Sequence, residues 1–285
     1  MSIKRVGIVG SGIMGSGIAE VAARSGHEVV LRSRRQATAD AMVAGLETSL
    51  SRQVDKGRMS AEERDTVLGR VSGTHHIGDL ADCDLVIESV VEDLAIKRAL
   101  FAELDQIVRT DAILATNTST LPVVEMAVAT ERPERVCGVH FFNPAPLMSL
   151  VEVVRPLTAS DDTIDTVAEF ARTCGKEPVL VQDRAGFIVN ALLFPYLNNA
   201  VRMLENGTAG RDDIDAAMKG GCNFPMGPLA LLDLVGLDTS VAILDALYAE
   251  FADPNFSPAP ALRRMVAAGH LGRKSGRGFY DYASR

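Results

Sequence analysis

Basic charge is in deficit in this 285-residue chain: 29 lysines and arginines stand against 37 aspartates and glutamates, a net charge of −8. That balance argues against a general nucleic-acid binder, which needs a basic face. It leaves small anionic ligands open, because a few local basic residues suffice for them. Cysteine is scarce. Cys83, Cys137, Cys174 and Cys222 lie far apart, form no CxxC pair and sit in or near apolar stretches. Each is expected to be an unpaired core thiol, which fits a reducing compartment, and no metal site is expected. No apolar run reaches membrane-spanning length. The first strand is expected within a few residues of Met1, which leaves no room for a leader. These absences point to a cytoplasmic protein without a membrane partner.

What is present is ordinary globular composition, 47% hydrophobic and 23% charged, at a length that suits one large domain or two smaller ones. Val6-Gly7-Ile8-Val9 reads as a short buried strand. Gly10-Ser11-Gly12-Ile13-Met14-Gly15 follows it, matching GxGxxG, and Ile13, Gly17, Ile18 and Val21 then recur at helical spacing to about Arg24. A second strand is expected over His27-Glu28-Val29-Val30-Leu31. Strand, glycine turn, helix and strand in about thirty residues make a dinucleotide-binding unit. Gly10 would allow the tight turn, Gly12 would let the backbone approach a pyrophosphate, and Gly15 would let the helix sit close to the sheet. Ile13 and Met14 lie in the same cofactor-facing turn, where helix N-terminal amides meet the phosphates.

An NAD-binding fold usually places Asp or Glu at the end of the second strand, on the ribose hydroxyls. Here the position is Ser33, within Arg32-Ser33-Arg34-Arg35. Serine does not repel a 2′-phosphate, and guanidinium groups at Arg34 and Arg35 can bind one through charge-assisted bonds. The expected cofactor is therefore NADP, with NAD still open. The plainer alternative is a solvated basic turn.

Gln36 to about Lys56 reads as a long amphipathic helix, and Ser60-Ala61-Glu62-Glu63 as a capping box opening another. Arg52, Lys56 and Arg58 cluster between them, either as a solvated hairpin or as a cationic rim for an anionic substrate. Asp84-Leu85-Val86-Ile87-Glu88 and Asp111-Ala112-Ile113-Leu114-Ala115 are further buried strands. Glu92 and Lys97 follow the first of these, at the carboxyl edge where open α/β sheets bind ligands, though as a helix start they could be surface charges. Thr116-Asn117-Thr118-Ser119 follows the second, able to cap a helix or to present a hydroxyl to a substrate oxygen.

Of five histidines, only His140 emerges from an apolar strand, Val136-Cys137-Gly138-Val139, into the loop Phe141-Phe142-Asn143-Pro144. A lone histidine is more often structural than catalytic. Glu152 changes that balance, because it interrupts the apolar run Leu150-Val151-Glu152-Val153-Val154. A buried carboxylate requires a partner, and an imidazole beside it makes an oriented acid–base dyad.

With these residues in hand the chain resembles the 3-hydroxyacyl-CoA dehydrogenase family, and within it the short single-function bacterial members that act on 3-hydroxybutyryl-CoA. The resemblance runs from Lys4 to about Tyr282. It rests on the glycine turn, Asp82-Cys83-Asp84-Leu85-Val86-Ile87-Glu88, Asn117-Thr118-Ser119, His140-Phe141-Phe142-Asn143-Pro144, Pro225-Met226-Gly227-Pro228, and the tail Leu271-Gly272-Arg273-Lys274-Ser275-Gly276-Arg277-Gly278-Phe279-Tyr280. It implies His140 as the acid–base residue, Glu152 as its partner, and Ser119 and Asn190 as hydrogen-bond partners of the substrate oxygen. Read without the resemblance, Asn190 would be a satisfied core amide. Cofactor contacts are implied at Glu92, Lys97, Asn117, Ser119, Asn143 and Lys274, and contacts to the CoA moiety at Arg52 and Lys56. Two departures stand out: Ser33 replaces the family's usual Asp, which puts ordinary NAD preference in doubt, and Thr116 replaces the usual Ser before Asn117. The implied reaction interconverts (S)-3-hydroxyacyl-CoA and 3-ketoacyl-CoA, with short chains such as acetoacetyl-CoA favoured by resemblance alone.

The expected fold is α/β, a Rossmann-type doubly wound sheet domain over 1–185 followed by a smaller all-α domain over 186–285. In the second part, Phe187 to about Glu205 is strongly apolar, Pro195 is a candidate kink and Gly207 a stop. Arg211 to Lys219, Leu229-Ala230-Leu231-Leu232 and Val241 to Phe251 supply further helical faces. So much apolar helix in a small domain suggests burial against a second subunit, hence a homodimer built by the domain that also contributes to the substrate cleft. Simple packing onto the first domain is the alternative. Two other functional readings stay open: a dehydrogenase of free hydroxy acids that uses a lysine, and a non-enzymatic structural or nucleotide-binding protein on the same fold, as lens proteins of the resembled family are.

Overall fold

The computed structural model describes residues 2–283 and divides into two compact units after Arg184. The first unit is a sheet with helices. It runs β1 (Arg5–Val9), α1 (Ile13–Arg24), β2 (Glu28–Arg32), α2 (Gln36–Asp55), α3 (Ala61–Leu68), β3 (Val71–Thr74), β4 (Leu85–Glu88), α4 (Leu94–Ile107), β5 (Ile113–Thr116), α5 (Val123–Ala127), β6 (Val136–Phe141), β7 (Leu150–Arg155), α6 (Asp161–Thr173) and β8 (Glu177–Gln182). The strands make one eight-stranded sheet in the order β3-β2-β1-β4-β5-β6-β7-β8. Every neighbouring pair is parallel except β6 with β7.

This is a Rossmann-like α/β sheet, and the strand order turns back between β1 and β4. In such sheets the crevice outside the carboxyl ends of the two central strands is the ligand site. The central strands are continuous apolar runs because helices cover both faces; β4, β5 and β6 are buried at every position. α2 turns Ala39, Met42, Leu46 and Leu50 inward at helical spacing. The capping box at Ser60 forms as read, with Ser60 and Glu63 each bonding the other's backbone amide. Ile8, Ile18, Leu31, Ile87, Val139 and Phe141 belong to one core beneath the crevice.

Several expectations need correcting. His140 lies inside β6, which continues to Phe141, so it is a strand residue and not a loop residue. Strands β3 and β8 and helix α6 had no counterpart in the sequence reading. Cys83, Cys137 and Cys174 are buried, and burial pushes the Cys137 thiol up to about 12. Cys222 is exposed, at the end of a helix, and is not a core thiol.

The second unit is helical: α7 (Val189–Glu205), α8 (Arg211–Cys222), α9 (Pro228–Val235), α10 (Leu237–Phe251) and α11 (Pro260–Ala267). α7 begins two residues after Phe187, whose positive φ of 48° keeps it outside the helix, and runs on through Pro195. Leu197, Val201, Leu229, Leu232, Leu244 and Leu247 form its core. The Asp215 carboxylate accepts the amides of Leu229 and Ala230, so α8 caps the first turn of α9. Leu192, within the run expected to be strongly apolar, is 72% exposed.

Candidate active site

Three glycines of the turn after β1 have different reasons to be glycine. Gly10 has a φ of +133°, and a Cβ there would come 2.2 Å from the Ser89 carbonyl oxygen on the neighbouring β4 side of the crevice. A Cβ on Gly15 would come 2.3 Å from the Gly10 carbonyl oxygen, so Gly15 serves the turn itself more than the helix–sheet gap. Gly12 is the contrast: a Cβ there would meet nothing within 4 Å. The fold demands the first and third glycines, while the second opens onto free space. Gly12 is also the N-cap of α1, with no side-chain cap and no acidic residue in the first turn. The helix's leading amides and its positive dipole end are therefore left for an anion. These residues fit the pyrophosphate of a dinucleotide. Ile13 is exposed beside them and Met14 is partly buried.

At the end of β2 the chain presents no carboxylate. Ser33 is buried and donates its amide to the Thr74 carbonyl at 3.0 Å. Arg34 and Arg35 are exposed, and among the described residues neither makes an ion pair.

The antiparallel register of β6 and β7 sets His140 directly opposite Glu152. His140 Nδ1 lies 2.7 Å from Glu152 Oε2, and both side chains are buried. The carboxylate thus fixes the ring's orientation and leaves Nε2 facing away from the ladder. Ser119 Oγ lies 3.1 Å from that Nε2. Phe142 packs its ring against the imidazole at 4.5 Å between centroids. Asn117 Oδ1 accepts the Phe141 amide at 2.9 Å, which ties the end of β5 to the end of β6. A strand pairing and one side-chain bond therefore assemble an acid–base group, its orienting carboxylate and a hydroxyl.

A second polar cluster lies on the same edge. Glu88 ends β4 fully buried, and Lys97 on α4 is 1% exposed. Lys97 Nζ reaches both Glu88 oxygens at 2.8 and 2.9 Å and Glu92 Oε2 at 3.1 Å. Lys97 is thus not a surface charge, and its ammonium is committed to two carboxylates. Removing one member of such a buried pair costs about 3–5 kcal/mol. Glu92 in turn accepts the Thr118 hydroxyl and, at 3.0 Å, the Ser119 amide. Burial alone would raise the Glu92 carboxyl; the Lys97 ammonium, the Thr118 hydroxyl and the Ser119 amide outweigh it and hold the group below the usual carboxylate range. The sequence reading named Glu92 and Lys97 but missed Glu88. The signal was available: a carboxylate ending an apolar strand needs a partner, as with Glu152.

Asn143 is exposed, one residue before Pro144 and joined to it by a cis peptide. Arg52 and Lys56, at the end of α2, are exposed and make no ion pair among the described residues. Asn190 and Lys274 belong to the second unit. Asn190 is the second residue of α7 and is buried; Lys274 Nζ donates to Asp238 Oδ2 at 2.7 Å. Among the described residues no group of three metal-ligating side chains occurs, and no helix is long and apolar enough to cross a membrane.

Comparison with known proteins bears on what this geometry is for. Residues 5–184 match the family model for the NAD-binding domain of 3-hydroxyacyl-CoA dehydrogenase, and residues 186–282 match the model for its C-terminal domain. A 3-hydroxybutyryl-CoA dehydrogenase of Mycobacterium tuberculosis is 51% identical over 283 residues, covering 99% of both chains. The mitochondrial hydroxyacyl-coenzyme A dehydrogenase of Sus scrofa is 43% identical over 288 residues, covering 98% of this chain and 91% of its own. The crystal structure of an (S)-3-hydroxybutyryl-CoA dehydrogenase from Ralstonia eutropha superposes with a TM-score of 0.96 at 43% identity, covering 99% of each chain.

Proposed function

The chain belongs to the 3-hydroxyacyl-CoA dehydrogenase family, and on that premise we propose that it interconverts (S)-3-hydroxyacyl-CoA and 3-ketoacyl-CoA of short chain length, with NADP favoured over NAD. The observation that carries the chemistry is the His140–Glu152 pair with the Ser119 hydroxyl at the imidazole's Nε2. When bound at the glycine turn, a nicotinamide nucleotide supplies the hydride in reduction and takes it in oxidation. His140 handles the proton. In reduction its imidazolium gives the Nε2 proton to the 3-keto oxygen; in oxidation the neutral ring removes the hydroxyl proton at the same atom. Glu152 holds the ring in orientation by facing Nδ1. Ser119, and Asn190 by resemblance, hydrogen-bond the substrate oxygen as its charge develops. Asn117 and Glu92 hold the Ser119 segment, and Lys97 acts through Glu92.

NADP preference rests on what the end of β2 offers. Ser33 brings no charge to repel a 2′-phosphate, and two exposed arginines follow it without carboxylate partners among the described residues. Arg52 and Lys56 are proposed for the CoA phosphates, and Asn143 and Lys274 for the cofactor. Residues 1–185 are proposed as the dinucleotide-binding domain and 186–285 as the part that contributes to the substrate cleft and dimerises in the cytoplasm. Exposed Leu192, Met203, Phe224 and Leu234 in the second unit support that homodimer.

The test is acetoacetyl-CoA reduction by the purified protein, with NADPH and NADH in parallel. Faster turnover with NADPH supports both the reaction and the cofactor reading. Faster turnover with NADH keeps the reaction and reduces Arg34 and Arg35 to surface charge. No turnover with either, at any acyl length, returns the protein to the structural or nucleotide-binding reading.

A further inference from the structure

Behind Ser119 the hydrogen bonds close into a ring. Thr116, the last residue of β5, is fully buried. Its hydroxyl donates to Glu88 Oε2 at 2.7 Å and accepts the Thr118 amide at 3.1 Å. Glu88 holds Lys97, Lys97 holds Glu92, and Glu92 takes the Thr118 hydroxyl and the Ser119 amide. The chain from Thr116 to Thr118 completes the circuit. A hydroxyl has a single proton, and here Glu88 takes it, so the oxygen's lone pair is turned to the Thr118 amide. Ser119 is carried by this ring, with its own hydroxyl 3.1 Å from His140 Nε2. Every other ring member is a charged side chain or part of the Ser119 segment itself. Thr116 is the uncharged member that joins the buried Glu88–Lys97 pair to the backbone of that segment.

We propose that Thr116 is a positioning residue of the reaction: its hydroxyl locks the Thr118–Ser119 backbone onto the Glu88–Lys97–Glu92 cluster and so sets the Ser119 hydroxyl against His140. The proposal rests on the dehydrogenase reading wherever turnover is measured. The requirement is for the hydroxyl and not for the branched shape, so serine serves and valine does not. Valine keeps the outline of threonine but leaves Glu88 one donor short and the Thr118 amide without its acceptor, both in a buried setting.

Thr116→Val and Thr116→Ser are compared with the unmodified protein. For Thr116→Val, kcat falls by about tenfold to a hundredfold, the range a small misplacement of a reacting group costs. Affinity for NADPH, read from nucleotide fluorescence in a chain that has no tryptophan of its own, stays within about threefold, and so does KM for acetoacetyl-CoA. Thr116→Ser recovers kcat to within about threefold of the unmodified protein. Hydrogen–deuterium exchange provides a readout independent of turnover: the segment 117–121 exchanges faster in Thr116→Val and returns to the original rate in Thr116→Ser. Should Thr116→Val fail to fold, Thr116→Ala carries the same expectation relative to Thr116→Ser. A Thr116→Val protein that keeps kcat within about twofold and leaves segment 117–121 unchanged overturns the proposal. So does a Thr116→Ser protein that falls as far as Thr116→Val, since packing and not the hydroxyl would then be at work. If the unmodified protein has no dehydrogenase activity, the dehydrogenase reading fails by itself, and exchange in 117–121 still decides the role of Thr116 in holding Ser119.

Discussion

The ends of β2 and β6 lie on the same edge of one sheet, yet they are built in opposite ways. At β6, His140 is buried, faces a buried Glu152 across the ladder, and has Ser119 at its other nitrogen. At β2, Arg34 and Arg35 stand exposed without ion-pair partners among the described residues. A buried polar group must be satisfied on every side, so each residue there constrains the next. An exposed arginine constrains nothing and can be exchanged at little cost to stability. On the proposed function, the proton chemistry is locked into the fold, while the choice of nucleotide is written on a surface that tolerates change.

The largest expected break in that contrast is at His140. Replacing it with Ala should lower kcat by about 10²–10⁴-fold, the usual worth of a positioned general acid–base group, with NADPH still bound. Steady-state kinetics and nucleotide titration check it, and a variant with near-normal kcat would sink the assignment. Next comes Glu152→Gln, which keeps the shape but removes the charge opposite Nδ1. It should lower kcat about tenfold to a hundredfold while KM changes little, because in the proposed reaction the group orients His140 without touching substrate. Equal losses in kcat and in nucleotide affinity would point to a general collapse of the site instead.

The β2 end is sharpened by Ser33→Asp combined with Arg34→Ala. The new carboxylate matches ribose hydroxyls and repels a 2′-phosphate, and one arginine is gone. The ratio of kcat/KM for NADPH to that for NADH should fall by about tenfold or more, with the melting temperature unchanged. An unchanged ratio makes these residues spectators and shows that the nucleotide is selected elsewhere.

The same contrast explains what could be read in the sequence. Central strands were legible because burial on both faces makes them unbroken apolar runs, and Glu152 was legible as the one charge interrupting such a run. β3, Val71-Ser72-Gly73-Thr74, and β8, Glu177-Pro178-Val179-Leu180-Val181-Gln182, are the sheet's outer strands, only partly buried, with a glycine or a proline inside. Neither carries a buried run or a clean alternation. His140 was placed beyond its strand because a polar residue looked like an ending, whereas its cross-strand partner supplies the satisfaction that lets β6 continue. The glycine turn was legible as a turn with Gly10 at its tight point, but Gly15 was assigned to the helix–sheet gap, whereas it lies against the Gly10 carbonyl. The ring through Glu88 and Thr116 was not, because it depends on α4 bringing Lys97 back to the strand ends, and no local pattern encodes that return.

The smallest effect belongs to Arg52 and Lys56, the outermost candidates. Both are exposed on the last turn of α2 and the residue after it. Charges of this kind attract a polyphosphate through solvent, where screening is strong and each contact is worth under about 1 kcal/mol. Replacing both with Ala should therefore raise KM for acetoacetyl-CoA by only about threefold to tenfold and leave kcat alone, because the loss is the same for bound substrate and transition state. The effect should shrink as salt rises from about 0.01 M to 1 M, since the screening length falls from about 30 Å to 3 Å. Steady-state KM across that salt series separates two cases. A KM difference that fades with salt marks a cationic rim for the CoA phosphates. A KM that never differs from the unmodified protein marks a solvated helix end, and the CoA phosphates must then find their cations elsewhere.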